Sequence, residues 1–461
     1  MNWGTIATLM LPENVLLLGI VLLIGTEIVL ARPRGALPMA LATCAAAAAA
    51  ALWLYTTGVA AEPFPGHFSV VPATLLAKAV IVALAIPVLL MSRDEFTDSQ
   101  FHLLLLSSLY GACLLLSSDS FLTLFIGLEI MSMPVYVLVL LAYRRPETAE
   151  AALKYLVLGG AATATLLMGV SLLYGGSGTL AISTFADALA STDTMARAGV
   201  VLVVVAFFLK AAVVPFHTWA PDAYEAASVP VTAYMATIVK GAVLLAMARL
   251  FAEAPMRASF VDLVALLPLV SIVWGNLAAM RQPSLRRLVA YSSIAHAGYL
   301  FYAFLGEGAT RFEAVLFYVA AYGVMNLLAF AALPPHADDL ARDRLDNLRG
   351  LYRRAPFSAI LIAIAMLSLA GIPPLPGFVA KFLIFRNVIA AGHTLYAVAG
   401  LVGSYLGIYF YLRVIQLMFM SEERPAIVHA RPGTLAVGAA LACLAAAIVL
   451  GIYPASMLGR F

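Results

Sequence analysis

Apolar and polar positions along this chain do not alternate with a helical or a strand period. They separate into long unbroken apolar runs joined by short polar connectors. Runs of about 18–25 apolar residues match the length at which an α-helix crosses a bilayer. Fourteen are predicted, the first at 14–31 and the last at 433–453. Those that carry the argument lie at 70–91 (span 3), 120–143 (span 5), 152–175 (span 6), 198–216 (span 7), 228–250 (span 8), 288–305 (span 10), 356–389 (span 12) and 394–420 (span 13). The predicted fold is therefore an all-α polytopic membrane protein. The first run is expected to be retained, since no basic residue precedes it and Glu27 sits inside it, unlike a cleaved signal peptide. The longest connectors, 176–197 and 334–355, are 22 residues each, too short for a soluble domain.

Two spans carry breaks. Span 7 runs into FLKAAVVPFHTWAPDAYEAAS, with Pro215 and Pro221 near its end. Span 12 is 34 residues long and holds GIPPLPG at 371–377, with Pro373 and Pro374 at its centre. Proline removes a backbone donor and clashes with the preceding turn, so each site predicts an interruption. Interrupted helices in matching places point to a duplicated transporter core with its site at the breaks. Spans 4–8 and 9–13 are read as two inverted five-helix repeats. The expected division is a three-helix segment at 1–100, the first repeat at 101–250, the second at 251–420 and a final helix at 421–461.

Composition narrows the class. Apolar residues make up 63% of the chain and charged residues 11%, which excludes a soluble globular enzyme and a disordered chain. A net charge of +3 gives no argument for nucleic acid. Cys44, Cys113 and Cys443 stand alone without a C-x-x-C, so no iron–sulfur, zinc or haem-attachment site is expected, and no cofactor. Of 27 basic residues only five are lysine. Fifteen arginines, among them Arg32, Arg144, Arg286, Arg287 and Arg342, fall on one set of loops, and five on the other. The excess of positive charge marks the cytoplasmic side. Both termini are therefore expected outside.

The lysines follow another rule. Lys78, Lys154, Lys210, Lys240 and Lys381 all lie within or at the edge of apolar runs. A lysine at a helix centre costs roughly 2.5–3.5 kcal/mol on insertion scales, so each needs a partner, a polar cavity or the interface. Glu129 is the tenth residue of span 5 and too deep to snorkel. Lys210 of span 7 lies within roughly 5 Å of the same depth, which predicts that the two pair. Two readings of that pair stand: a static bridge, or a proton carrier whose charge is shed when the pair loosens. Lys240 is near the middle of span 8 with no acid in its own helix. Lys381 follows the second break by four residues and is the expected terminal carrier. Lys154 lies near the cytoplasmic end of span 6, where snorkelling competes with function. His296 of span 10 is either a bridge between carriers or a satisfied core histidine. His217 follows Pro215 and either gates the cytoplasmic end or caps it. Arg413 of span 13 is read as structural, with support of Lys381 as the alternative. Lys78 has no motif and no assigned role.

Four stretches carry a resemblance: GLEIMSMPVYVL (127–138), ALKYLVLGGAATA (152–164), FLKAAVVPFHTWAPDAYEAASVPVTAYMATIVK (208–240) and SLAGIPPLPGFVAKF (368–382). In these the chain resembles the antiporter-like membrane subunits of respiratory NADH:quinone oxidoreductase, complex I, and is most similar to the subunit N family. The resemblance covers essentially the whole chain. It implies fourteen spans with two inverted repeats, and proton transfer through Glu129, Lys154, Lys210, Lys240, His296 and Lys381. Pro215, His217, Pro373 and Pro374 would gate or support. Sister subunit M carries glutamate at the position of Lys381, and sister L extends into a long lateral helix, whereas this sequence stops soon after span 14, which is why subunit N is expected. The implied partners are the other membrane-arm subunits and the lipid bilayer, with no direct NADH binding and no redox centre in the chain. The implied setting is the bacterial inner membrane, with pumping driven by quinone reduction elsewhere. Two other functions are weighed: a subunit of a multi-subunit Na⁺/H⁺ antiporter, and a scaffold that only bridges its partners.

Overall fold

A computed structural model describes residues 2–30, 35–93, 95–96, 98–141, 146–251, 258–306, 308, 310–335, 342–422 and 433–458. Several of the arginines used to orient the chain (Arg32, Arg34, Arg144, Arg145, Arg257, Arg424, Arg431, Arg460) lie outside the described residues. Thirteen described helices are long and apolar enough to cross a membrane. Two half-length helices, Pro356–Ala370 and Pro376–Ala390, flank the second break where the sequence predicts span 12. One small antiparallel hairpin, Ala61–Phe64 with Phe68–Val70, interrupts the otherwise helical fold between spans 2 and 3.

Local chemistry starts and stops the helices. Asp193 caps span 7 by accepting from the Ala196 N–H, and Ser284 caps span 10 by accepting from the Arg287 N–H. Pro72, Pro356 and Pro376 stand in first turns, where a missing N–H costs nothing. Span 7 ends at Ala211 and resumes as the short helix Trp219–Ala226. Both breaks close with the same cap. A left-handed residue, Ala212 (φ 60°) or Gly371 (φ 88°), is followed by a backbone bond from Val213 to Phe208 or from Ile372 to Leu367.

The connectors sort onto two faces. On one, the hairpin is tied to the span 4–5 turn by Ser69 N–H to Ser117 O and Asp119 N–H to His67 O. Phe121 N–H reaches Leu180 O there, and Arg249 binds the carbonyls of Leu116 and Ser118. On the other face, Arg342 meets Glu95 at 2.8 Å, and Arg286 meets Asp343 at 3.0 Å. Arg287 there binds Glu225 at 2.6 Å. Two arginines counted as loop charges, Arg286 and Arg287, belong instead to the first turn of span 10 and lock connectors together. Span 8 and the helix Thr310–Ala331 (span 11) are buried on all sides and span 10 nearly so. These three form the polar centre of the molecule, because lipid excludes polar side chains from its own side of a helix.

Candidate functional site

The first cluster joins spans 5, 6 and 7. Lys210 Nζ lies 3.5 Å from Glu129 Oε1 and 3.4 Å from Ser132 Oγ. Glu129 Oε1 also accepts from Thr163 Oγ1 at 2.6 Å. Lys210 is the penultimate residue before the first break, so its backbone is fixed by the cap at Ala212. The predicted pair is thus formed, with two hydroxyls added that the sequence reading did not name. Ser132 sits one turn after Glu129 on the same helix, and Thr163 faces Glu129 from span 6.

The second cluster is built on span 10. Lys240, 4% exposed, donates to the Ser293 carbonyl at 3.0 Å and to the Ser293 hydroxyl. Its partners are neutral, and no ion pair reaches it among the described residues. One turn on, His296 is held at both ring nitrogens. Tyr411 Oη lies 3.1 Å from Nε2 and Tyr318 Oη 2.7 Å from Nδ1, and the Tyr322 ring packs at 4.5 Å. A further turn on, the Tyr299 ring lies 5.2 Å from Lys381 Nζ. Ser293, His296 and Tyr299 therefore form one stripe on span 10, running from Lys240 to Lys381 over about 9 Å. A π-helical segment, Met235–Val239, immediately precedes Lys240 and sets the angle at which it leaves span 8.

Lys381 is held by the backbone carbonyls of Leu369 (3.0 Å) and Ala370 (3.1 Å) and by Ser404 Oγ (3.0 Å). The second break frees those carbonyls. Glycine is required twice there: a Cβ on Gly371 would meet Lys381 Nζ at 3.3 Å, and one on Gly377 would lie 1.8 Å from the Ser368 carbonyl. A cavity of about 450 Å³, lined by Phe378, Phe382, Arg386 and Tyr405 among others, reaches Lys381. Pro373 and Pro374 are exposed.

The remaining candidates stand apart from this row. Lys154 is 45% exposed and bridges Asp222 (2.9 Å) and Glu150 (2.8 Å). It lines a polar cavity of about 380 Å³ with Glu147, Glu225 and Arg287. The Trp219 ring stacks on Tyr155 at 4.3 Å, which docks the helix after the first break onto span 6 and brings Asp222 to Lys154. Pro215 lies in the first break and is exposed. His217 Nε2 accepts from Trp274 Nε1 at 3.1 Å. Arg413 donates to the Met280 carbonyl at 2.5 Å, and among the described residues no hydrogen bond or ion pair joins it to Lys381, as its structural reading expects. Glu27 is half-buried. Tyr299, Tyr318 and Tyr411 were missed by the sequence reading. The signal was available as tyrosines in otherwise apolar helices, where a buried hydroxyl needs a partner.

Comparison with known proteins matches residues 118–407 to the family described as NADH:quinone oxidoreductase/Mrp antiporter, TM. A protein of Pelobacter propionicus named NADH-quinone oxidoreductase subunit N is 40% identical, covering 90% of each chain. One of that name from Granulibacter bethesdensis is 35% identical over 99% of this chain and 98% of the other. Among solved structures, a chain of respiratory complex I from Thermus thermophilus superposes with a TM-score of 0.84 at 34% identity, covering 96% of this chain and 97% of that one. A chain of the Mrp complex from Dietzia sp. shares the fold, with a TM-score of 0.86 at 23% identity, covering 98% and 96%. The chain is a multi-pass membrane protein that belongs to the NADH-quinone oxidoreductase subunit N family.

Proposed function

We propose that this chain is a proton-translocating membrane-arm subunit of an NADH:quinone oxidoreductase, seated beside the other membrane subunits. It carries protons along buried side chains while quinone is reduced elsewhere in the complex. The observation that carries the proposal is the span 10 stripe, which places Ser293, His296 and Tyr299 between two buried lysines with neutral partners. In this reading Glu129 and Lys210 form the switch: a charge moved beside the pair loosens it and frees the Lys210 proton. Lys240 receives that proton, His296 and its tyrosines pass it on, and Lys381 delivers it to the 450 Å³ cavity. Lys154, with Asp222 and Glu150, gathers protons at the arginine-rich face, and His217 and the prolines of the two breaks shape the gates. Transfer of one charge against 100 mV costs roughly 2.3 kcal/mol, which one perturbed ion pair can supply.

The arginine-rich face is the cytoplasmic one in this proposal, with both termini outside and the protein in the bacterial inner membrane. The two inverted repeats, 101–250 and 251–420, are supported by the shared cap at the two breaks. The likeness to the Mrp complex is one of fold at 23% identity, whereas relatives named subunit N match at 34–40% over most of the chain. The decisive test is Lys240→Met in the assembled complex, in sealed membrane vesicles. NADH-driven acidification, read with a pH-sensitive dye, should fall by about 100-fold or more. Unchanged acidification would refute the proposal.

A further inference from the structure

Lys78 has a partner that the sequence did not suggest. Its Nζ lies 2.5 Å from Glu13 Oε1, and the two side chains are 0% and 1% exposed. Glu13 is the third residue of the helix Leu11–Leu30, and Lys78 lies about 9 Å into the helix Pro72–Ser92. Both approach from the hairpin face, where the Phe68 ring covers the ammonium at 4.9 Å. Tyr110 and Cys113 of the helix Ser99–Leu116 (span 4) are the titratable groups within electrostatic reach of Glu13, and Cys113 is also in reach of Lys78.

A second buried pair shows what a structural lock looks like here. Asp343 accepts from both the backbone and the guanidinium of Arg286, and that guanidinium also binds the Ala227 carbonyl. The Glu13–Lys78 pair has no such support: among the described residues, neither charged group has a hydrogen-bonding partner beyond the mutual contact. A bare buried pair loses little by becoming neutral, since no further hydrogen bonds depend on its charges. The pair is also close to the row. Ile81, one turn deeper on the Lys78 face, lies 3.2 Å from where a Cβ on Gly241 would stand, beside Lys240.

We propose that Glu13 and Lys78 form a further proton-transfer site between Lys240 and the hairpin face. In the step, the Lys78 N–H bond breaks and a Glu13 O–H bond forms, turning ammonium and carboxylate into amine and carboxylic acid with no change in net charge. Glu13 then releases the proton to water at the hairpin face, and the amine is recharged from the Lys240 side. This rests on the proton-pumping reading above.

The test uses Lys78→Arg in the assembled complex in sealed vesicles, with Lys240→Arg measured beside it. Arginine keeps the ion pair but does not release its proton. The expected result is normal assembly on a native gel, with NADH-driven acidification at least about tenfold lower. Wild-type acidification in Lys78→Arg, with loss in Lys240→Arg, makes the pair a lock and overturns the inference alone. Wild-type acidification in both overturns the pumping reading as well. If Lys78→Arg does not assemble, the neutral double variant Glu13→Gln/Lys78→Met decides. Assembly with impaired acidification supports the site. Normal acidification, or failure of both variants to assemble, overturns it.

Discussion

The two broken helices share a cap and differ in how they hold a lysine. At the first break Lys210 precedes the interruption and faces a carboxylate, Glu129, at 3.5 Å. At the second, Lys381 follows the interruption and is held by the dipoles of two freed carbonyls and one hydroxyl. A charge pair responds to a charge brought near it, because the field acts on both partners and the response weakens only with distance. A lysine held by fixed carbonyls responds mainly to the backbone that carries them. In the proposed mechanism the first break is therefore the one switched electrostatically, and the second is set by geometry.

The strongest way to break this contrast is Gly377→Ala. Its Cβ would overlap the Ser368 carbonyl, so the second break must open, at a cost of about 3 kcal/mol or more. Native-gel assembly and thermal melting of the complex should both fall. Glu129→Gln comes next: Lys210 loses its counter-charge but keeps Ser132, and vesicle acidification should drop roughly 10- to 100-fold with assembly retained. Acidification equal to wild type would show that the first break is not charge-switched. Ser404→Ala removes one of three acceptors from Lys381 and should cost about 1 kcal/mol, an effect of about fivefold on pumping rate. Lys154→Met should have the smallest effect, within about twofold, since exposed ion pairs contribute about 0–1 kcal/mol. A larger loss would place Lys154 in the conducting row.

The spans, the two sets of loops and both breaks were legible in the chain, because apolar length and proline act locally. The Glu129–Lys210 pair was legible too, since depth along a helix follows from residue count. The partner of Lys78 was not. Glu13 sits near the end of the first span, where an acid reads as interfacial, and only the packing of spans 1, 3 and 4 buries it. In the sequence Lys154 reads both as a snorkelling lysine and as a proton carrier, and only the packing of the helix after the first break shows that Asp222 is its partner.

By itself, then, the sequence determined a multi-pass membrane protein and its two interruptions, and it supplied the candidate proton carriers. The tertiary structure decided which of those residues meet: the stripe of Ser293, His296 and Tyr299, the carbonyls around Lys381 and the bare pair at Lys78. The reason is physical. Lipid and protein interior are equally apolar, so a membrane helix carries little hydrophobic record of which face turns inward. Its rotation, and hence every contact between lysine and partner, is fixed only when the helices pack.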